Sequence, residues 1–447
     1  MTDLKSLYQA ALKLLLALGL TLCAQAAQRQ SPNVLFIAID DLNDWGIAAM
    51  NGRKQVHTPN LDRLAQWGTL FVNAHCAAPA CNPSRTAVLT GIAPYRSGVY
   101  NNSHDWRVNS QLKDLPTLPD YFRRHGYSGV GGGKIFHALE WIDGPSDGFN
   151  DAKCWDSFYP SINRQIPDRL YPKDMPVAKG TGSFRPPKFF DWSPLDEPIE
   201  KMPDHKTVDW AIRELAQPHS KPFFQAVGLF RPHIPWYVPR RFFELYPLRN
   251  IQLPYVKSGW RDKLPPAAQA SGEVRRKWHQ WVMENNQWTN AVQGYLASIS
   301  FADYELGRLL DALDQSAFRT NTIVALWTDH GFHVGDKDTW EKFTLWSEST
   351  RVPLVLVAPG VTQPGTVCAR PVSLLDLYPT LLELGGLPPN PRNDGVSLVP
   401  WLKNPDLPKM RPAIITNERG NHAVRNDRYH YIRYANGDEE LYDMLQD

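Results

Sequence analysis

The chain of 447 residues holds only five cysteines, Cys23, Cys76, Cys81, Cys154 and Cys368. So few in so long a chain exclude a disulfide framework as the basis of the fold. One bridge among Cys76, Cys154 and Cys368 stays open. An excess of charge of one sign is also missing, because the formal net charge is +2. No basic face is advertised, which argues against nucleic acid as a partner. Internal repeats and low-complexity tracts are absent. Beyond the N-terminus no apolar run is long enough to span a membrane.

Proline and tryptophan, by contrast, are plentiful, with 38 and 16 residues. They suggest long, rigid, aromatic-rich loops on a compact scaffold. The length suits one large domain with an appendage, or two domains.

The N-terminus reads as an export signal. Lys5 and Lys13 flank a mildly basic start, Leu14 to Leu22 form a short apolar run, and "AQA" at Ala24–Ala26 offers a cleavage site. Leu22 is too large for the residue before a lipidated Cys23. Residues 1–26 are therefore expected to be a signal peptide, and the protein to be periplasmic or secreted.

Apolar strands then alternate with amphipathic helices, the pattern of a layered α/β domain. "NVLFIAI" (Asn33–Ile39) reads as a buried strand, as do "PFFQAVGLF" (Pro222–Phe230), "TIVALWT" (Thr322–Thr328) and "VPLVLVAPG". "HTPNLDRLAQWG" carries a helix start, with Thr58 as cap, Pro59 in the first turn and Gly68 after the end. Glu273–Asp314 reads as two helices and Ser373–Leu384 as another. Residues 141–203 read as a long irregular excursion. From about Trp401, "AIIT", "HAVRN", "RYHYIRY" and "EELYDM", with a turn at Asn436–Gly437, predict a small antiparallel sheet as a C-terminal subdomain spanning 401–447.

Polar residues follow several of the buried strands. "NVLFIAI" runs into Asp40–Asp41 and "TIVALWT" into Asp329–His330. "PFFQAVGLF" leads to "RPHIPW" with His233, and "YSGVGGG" to Lys134 and His137. In open α/β sheets ligands bind at the carboxyl ends of the strands. If these ends share one edge, the side chains meet in one site. Taken singly, each has an ordinary reading. An aspartate after a strand is often a turn or a cap, a lone histidine is often structural, and a lone lysine is often a solvated charge. Adjacent carboxylates at a buried strand end repel one another unless a cation sits there. Three acids suit a hard divalent ion, calcium or magnesium. His330 either ligates that ion or hydrogen-bonds the site without touching it.

"PACNPSRTAVLTG" places Cys81 just before a helix, with Pro83 in its first turn, Arg85 one turn inside and Gly91 at its end. Backbone N–H groups and the helix dipole favour negative charge there, which predicts a lowered thiol pKa. Cys81 is thus a nucleophile candidate in an anion-binding site, set against the ordinary reading of a small buried side chain.

"CNPSRTAVLTG" resembles the signature of the type I sulfatases, C-x-P-S-R-x-x-x-L-T-G, at every fixed position. "NVLFIAIDDL", "HTPNLDRLA", "GGKIFH", "RPHIPW", "TDHGFHVGD" and "RVPLVLVAPG" follow in the expected order, and the resemblance runs from about Asn33 to the C-terminus. "GKIFH", "RPHIPW" and "DHGFH" most resemble the iduronate-2-sulfatase-like branch. This resemblance implies an alkaline-phosphatase-like α/β/α sandwich around a mixed, mostly parallel sheet, with a catalytic domain over 27–400. It implies that Cys81 is oxidised to Cα-formylglycine by a formylglycine-generating or equivalent maturation enzyme, with Pro83 and Arg85 as the signal. It further implies that Asp40, Asp41, Asp329, His330 and the modified Cys81 hold calcium (Ca2+).

In the same reading the formylglycine hydrate is the nucleophile and Arg85 stabilises it. Lys134 and His137 belong to the catalytic pocket, His137 as base. His233 is a candidate acid near the leaving oxygen, and Lys342 contacts the sulfate. Asp336 and Lys337 stand where the branch more usually carries Glu and His, which weakens transfer of its substrate. A sulfate monoester is anionic, so attack on sulfur needs a cation and residues such as Arg85, Lys134 and Lys342 to offset repulsion. The implied substrate is a sulfated sugar, of the 2-O-sulfated uronic acid class, with Trp106, Trp155 and Trp236 as rim candidates beside their ordinary reading as packing. Two other readings stay open: a phosphonate monoester or phosphodiester hydrolase, and a non-catalytic binder of sulfated glycans with an unmodified Cys81.

Overall fold

Asn33–Ile39 forms strand β1, buried along its whole length. Alternate residues leave a strand on opposite faces. Leu35, Ile37 and Ile39 enter one hydrophobic core, and Val34, Phe36 and Ala38 enter another. A strand apolar on both faces belongs inside a sheet covered on both sides, and β1 lies there. The computed structural model describes residues 31–52, 55–138, 148–167, 190–408 and 411–446. The expected signal peptide, Cys23 and much of the 141–203 excursion lie outside the described residues.

Seven more strands complete the main sheet: β2 (Thr69–Phe71), β3 (Ser128–Gly133), β4 (Ser157–Tyr159), β5 (Phe223–Leu229), β6 (Thr322–Thr328), β7 (Leu354–Val357) and β8 (Thr366–Cys368). Their order is β8-β2-β7-β6-β1-β5-β3-β4. Only β7 runs antiparallel to its neighbours; the other pairs are parallel. The sheet is mixed and mostly parallel, as expected.

The helices α1 (Pro59–Trp67), α2 (Cys81–Thr90), α3 (Leu118–Arg124), α4 (Pro203–Leu215), α5 (Glu273–Glu284), α6 (Trp288–Gln315) and α7 (Leu377–Leu384) cover both faces. Leu61, Val208, Trp281 and Leu306, from α1, α4, α5 and α6, share the core of Leu35. Val88, Phe122 and Leu381, from α2, α3 and α7, share that of Phe36. The result is an α/β/α sandwich. Thr58 precedes α1 without a side-chain cap bond. The cap comes instead from α6, where Asp303 accepts from the N–H groups of Asn60 and Leu61. The segment expected to be helical from Ser373 begins as a single 3-10 turn, closed by a capping box of Ser373 and Asp376, before α7.

A small sheet follows: β9 (Ala413–Thr416), β10 (His422–Arg425), β11 (Tyr429–Arg433) and β12 (Glu439–Asp443), all antiparallel. Gly437 turns between the last two strands at φ 92°. This sheet is tied to the main body where Thr416 N–H donates to Ala77 O at 2.9 Å. Cys76, Cys81, Cys154 and Cys368 are buried, and no disulfide joins two of the described residues. No helix among the described residues is long and apolar enough to cross a membrane.

Candidate active site

The parallel register of β6, β1, β5 and β3 places their carboxyl ends along one edge. Each end turns its next residues into the same buried space. Asp40 N–H donates to Leu229 O at 3.1 Å, extending the ladder by one bond. Asp41 then takes a left-handed conformation, φ 61°, which aspartate tolerates better than most residues. Tyr295 of α6 pins this turn: its hydroxyl donates to Asp41 O at 2.9 Å and accepts from Asn43 N–H at 3.0 Å. At the end of β3, Gly133 has φ 76° and sits against Gly228 O, where a Cβ would collide. That close approach turns Lys134 inward.

Arg85, wholly buried on α2, links three of these ends. Its Nε donates to Asp329 Oδ2 at 2.9 Å and one terminal nitrogen donates to Asp40 Oδ1 at 3.0 Å. The other terminal nitrogen donates to the carbonyls of Lys134 (2.5 Å) and Ile135 (3.1 Å). These bonds hold the aspartates and the Lys134 turn. Lys134 forms an ion pair with Asp40 Oδ2. Lys342 Nζ donates to Asp41 Oδ1 at 2.6 Å and lies 3.2 Å from Cys81 Sγ. Asp329 Oδ1 accepts from the N–H groups of Asp41 and His330, at 3.2 and 3.1 Å.

Burial would raise the Asp329 carboxyl, but Arg85 and His330 hold it well below the usual carboxylate range. Burial pushes the Asp41 carboxyl well above that range despite Lys342. Cys81 departs from expectation twice. It is the first residue of α2 rather than the residue before it. Burial pushes its thiol well above the usual value, against the pull of Lys342 and Lys134. The helix N-terminus does not offset the loss of water. Ser84, a motif residue given no role from sequence, donates to Asp329 O at 2.5 Å and ties α2 to β6. Tyr295 was equally hidden, because a tyrosine within an apolar helix face reads as core.

His330 Nδ1 donates to Gly331 O at 2.9 Å, which leaves Nε2 as the lone-pair nitrogen. That atom lies 3.3 Å from Cys81 Sγ, 3.4 Å from Asp41 Oδ1 and 3.5 Å from Asp329 Oδ2. Burial lowers the His330 pKa to about 4, so the ring is neutral. A lone pair facing two carboxyl groups is stabilised by a cation among them. Asp41 Oδ2 is buried without a hydrogen-bond partner, and ligand atoms of Asp40, Asp41, Cys81 and His330 all lie within 4.8 Å of one another. The two adjacent carboxylates fit a hard divalent ion, and an oxygen at position 81 would fit it better than sulfur.

His233 Nδ1 donates to Ile234 O at 2.6 Å, and its Nε2 faces Asp41 Oδ2 at 3.6 Å. His137 follows Lys134 by three residues; its ring packs on Phe149, centroids 5.8 Å apart, and the ion pairs described above do not include it. Of the two readings open for Trp106, Trp155 and Trp236, rim or packing, their burial fits packing. Trp106 stacks on Phe136 and donates to Phe149 O, Trp155 donates to Asn150, and Trp236 is wholly buried beside Tyr295. Asp336 accepts from His333 Nδ1 at 2.5 Å, and Lys337 lies against the rings of Trp260 and Trp346.

A family model described as Sulfatase matches residues 32–387, and one described as N-sulphoglucosamine sulphohydrolase, C-terminal, matches residues 335–447. The chain is similar to a sulfatase of Formosa agariphila, 39% identical over 426 residues, covering 93% of this chain and 81% of that protein. It is 31% identical over 399 residues to the iduronate 2-sulfatase of Homo sapiens, covering 80% and 70%. Among solved structures, the phosphonate monoester hydrolase of Agrobacterium radiobacter aligns with a TM-score of 0.72 at 22% identity, covering 93% of this chain and 90% of that one. That last likeness establishes a shared fold.

Proposed function

Because this chain belongs to the sulfatase family, we propose that it releases sulfate from a 2-O-sulfated uronic acid in a sulfated polysaccharide or oligosaccharide. As a member of that family it is a sulfuric ester hydrolase. The observation that carries the reading is the meeting of Asp40, Asp41, Asp329, His330 and Cys81 beside Lys134, Lys342 and Arg85. The similarity to iduronate 2-sulfatase supports the choice of sugar.

Asp40, Asp41, Asp329 and His330 would hold calcium, with the residue at position 81 as a further ligand. Calcium would draw charge off the sulfate oxygens, and formylglycine made from Cys81 would supply a hydroxyl nucleophile on a carbon that can afterwards release sulfate. The remaining work falls to ordinary side chains. Lys342 and Lys134 place ammonium groups where charge gathers on the transferring oxygens. With Nδ1–H of His233 tied to a carbonyl, Nε2 carries the lone pair, and burial favours that neutral form; Nε2 is the atom that would first take up a proton and then hand it to the departing alcohol. His137 is the proposed base. Arg85 acts by fixing Asp40 and Asp329. Export directed by residues 1–26 to the periplasm or beyond suits a polymeric substrate.

The test is release of sulfate from a panel of defined sulfated disaccharides, run beside aryl sulfate and phosphodiester substrates. Mass spectrometry of the peptide containing Cys81 accompanies it. Preferred turnover of a uronic acid 2-sulfate and an aldehyde at position 81 are expected. Faster turnover of the phosphodiester would reassign the reaction. Glycan binding without sulfate release, with a thiol at position 81, would remove the catalytic reading.

A further inference from the structure

Lys342 is flanked by two bulky residues in the left-handed region, Glu341 at φ 66° and Phe343 at φ 72°. Each such residue costs on the order of 1–3 kcal/mol and persists only where its surroundings impose it. Arg275, from the first turn of α5, reaches both. Its Nε donates to Glu341 Oε2 at 2.9 Å, and its guanidinium lies over the Phe343 ring, 4.4 Å from the centroid. The backbone of Phe343 is held as well: its N–H donates to Pro79 O at 3.0 Å, and Asn417 Nδ2 donates to its carbonyl at 2.7 Å. Glu341 is buried and Arg275 is about one quarter exposed.

We propose that Arg275 is a positioning residue: by clamping Glu341 and Phe343 it fixes the strained turn that aims Lys342 Nζ at Asp41 and Cys81. This rests on the reading of Lys342 as the ammonium beside the reacting sulfate. The geometry requires two handles, one anionic and one aromatic. A planar guanidinium serves both at once, and an ammonium serves only the first fully. Without the clamp the turn can relax toward ordinary backbone angles, and the lysine tip moves. Displacements of about 1 Å near a reacting centre lower rates by up to about a hundredfold.

The experiment is a double-mutant cycle on the substrate turned over best, with Arg275→Ala and Arg275→Lys each made in the wild type and in Lys342→Ala. Arg275→Ala is expected to lower kcat/KM at least about tenfold, with Arg275→Lys recovering part of the loss. In the Lys342→Ala background the same change is expected to cost less than about twofold. Equal losses in both backgrounds would overturn the proposal. If Arg275→Ala does not fold, Glu341→Gln removes the anionic handle at constant volume and carries the same expectation. A second readout needs no turnover: acetic anhydride labelling of Lys342, followed by mass spectrometry, should quicken severalfold in Arg275→Ala. An unchanged labelling rate counts against the clamp even if the wild type releases no sulfate, a result that would overturn the functional reading separately.

Discussion

Lys342 Nζ donates to Asp41 Oδ1 at 2.6 Å, joining residues 301 positions apart. The same ammonium is 3.2 Å from Cys81 Sγ. One cation thus touches both a candidate metal ligand and the candidate nucleophile position. Its charge is poised where a transferred sulfate would carry its own.

Lys342→Ala should therefore lower kcat/KM by about 10²–10³, the usual effect of deleting a donor aimed at developing charge. Lys342→Arg should not restore it, because a planar fork cannot replace a compact point charge between Asp41 and position 81. Steady-state kinetics on released sulfate decide the matter. Activity within about threefold of wild type in Lys342→Ala would remove the residue from the proposed machinery.

Arg85 makes a stability prediction of its own. Its guanidinium is buried against Asp40 and Asp329, at 3.0 and 2.9 Å. Removing one partner of a buried pair strands the other, at a cost of about 3–5 kcal/mol. Arg85→Ala should lose about that much in urea unfolding measured without added metal. A loss below about 1 kcal/mol, the range of exposed pairs, would mean that the aspartates find other partners.

The strands with both ends marked were the most legible part of the sequence. "NVLFIAI" and "TIVALWT" are bounded by polar residues, and their expected limits coincide with β1 and β6. Their adjacency followed from the rule that parallel strands gather function at their carboxyl ends. Exposure was not legible. Tryptophan content says nothing about which rings face solvent, and Trp236 lies beside Tyr295 and Phe332 in the core. The Cys81 thiol was misjudged because a helix terminus is a local feature of sequence, whereas burial is a property of the whole fold. The aim of Lys342 was also hidden, since non-glycine residues at positive φ leave no compositional mark.

Asp204 supplies a pH dependence. Its two carboxyl oxygens accept from the N–H groups of Phe230 and Arg231, each at 2.8 Å, at the start of the turn that carries His233. Burial raises its pKa to about 6, with those N–H groups pulling the other way. A raised folded pKa means that the fold favours the protonated form. The stabilisation is complete below about pH 4 and is lost as pH rises through about 6. The shift corresponds to about 3 kcal/mol. Urea unfolding from pH 4 to pH 8 should show wild type losing about that much relative to Asp204→Asn. A constant gap between the two proteins across that window would contradict the assignment.

The last prediction concerns the cation. The carboxyls of Asp40, Asp41 and Asp329 are matched by Lys134, Lys342 and Arg85, so a bound divalent ion leaves the centre net positive. A positive, water-poor centre attracts a sulfate dianion, and the two ligands should favour each other's binding. Calcium at a hundredfold its dissociation constant should stabilise the chelator-treated protein by about 2.7 kcal/mol, and Asp41→Asn should abolish most of that gain. Sulfate added after calcium should raise the unfolding temperature more than sulfate added alone. Reciprocity gives an internal check, since calcium must then bind more tightly in sulfate by the same factor. A sulfate shift of equal size with and without calcium would show that the two ligands do not share one site.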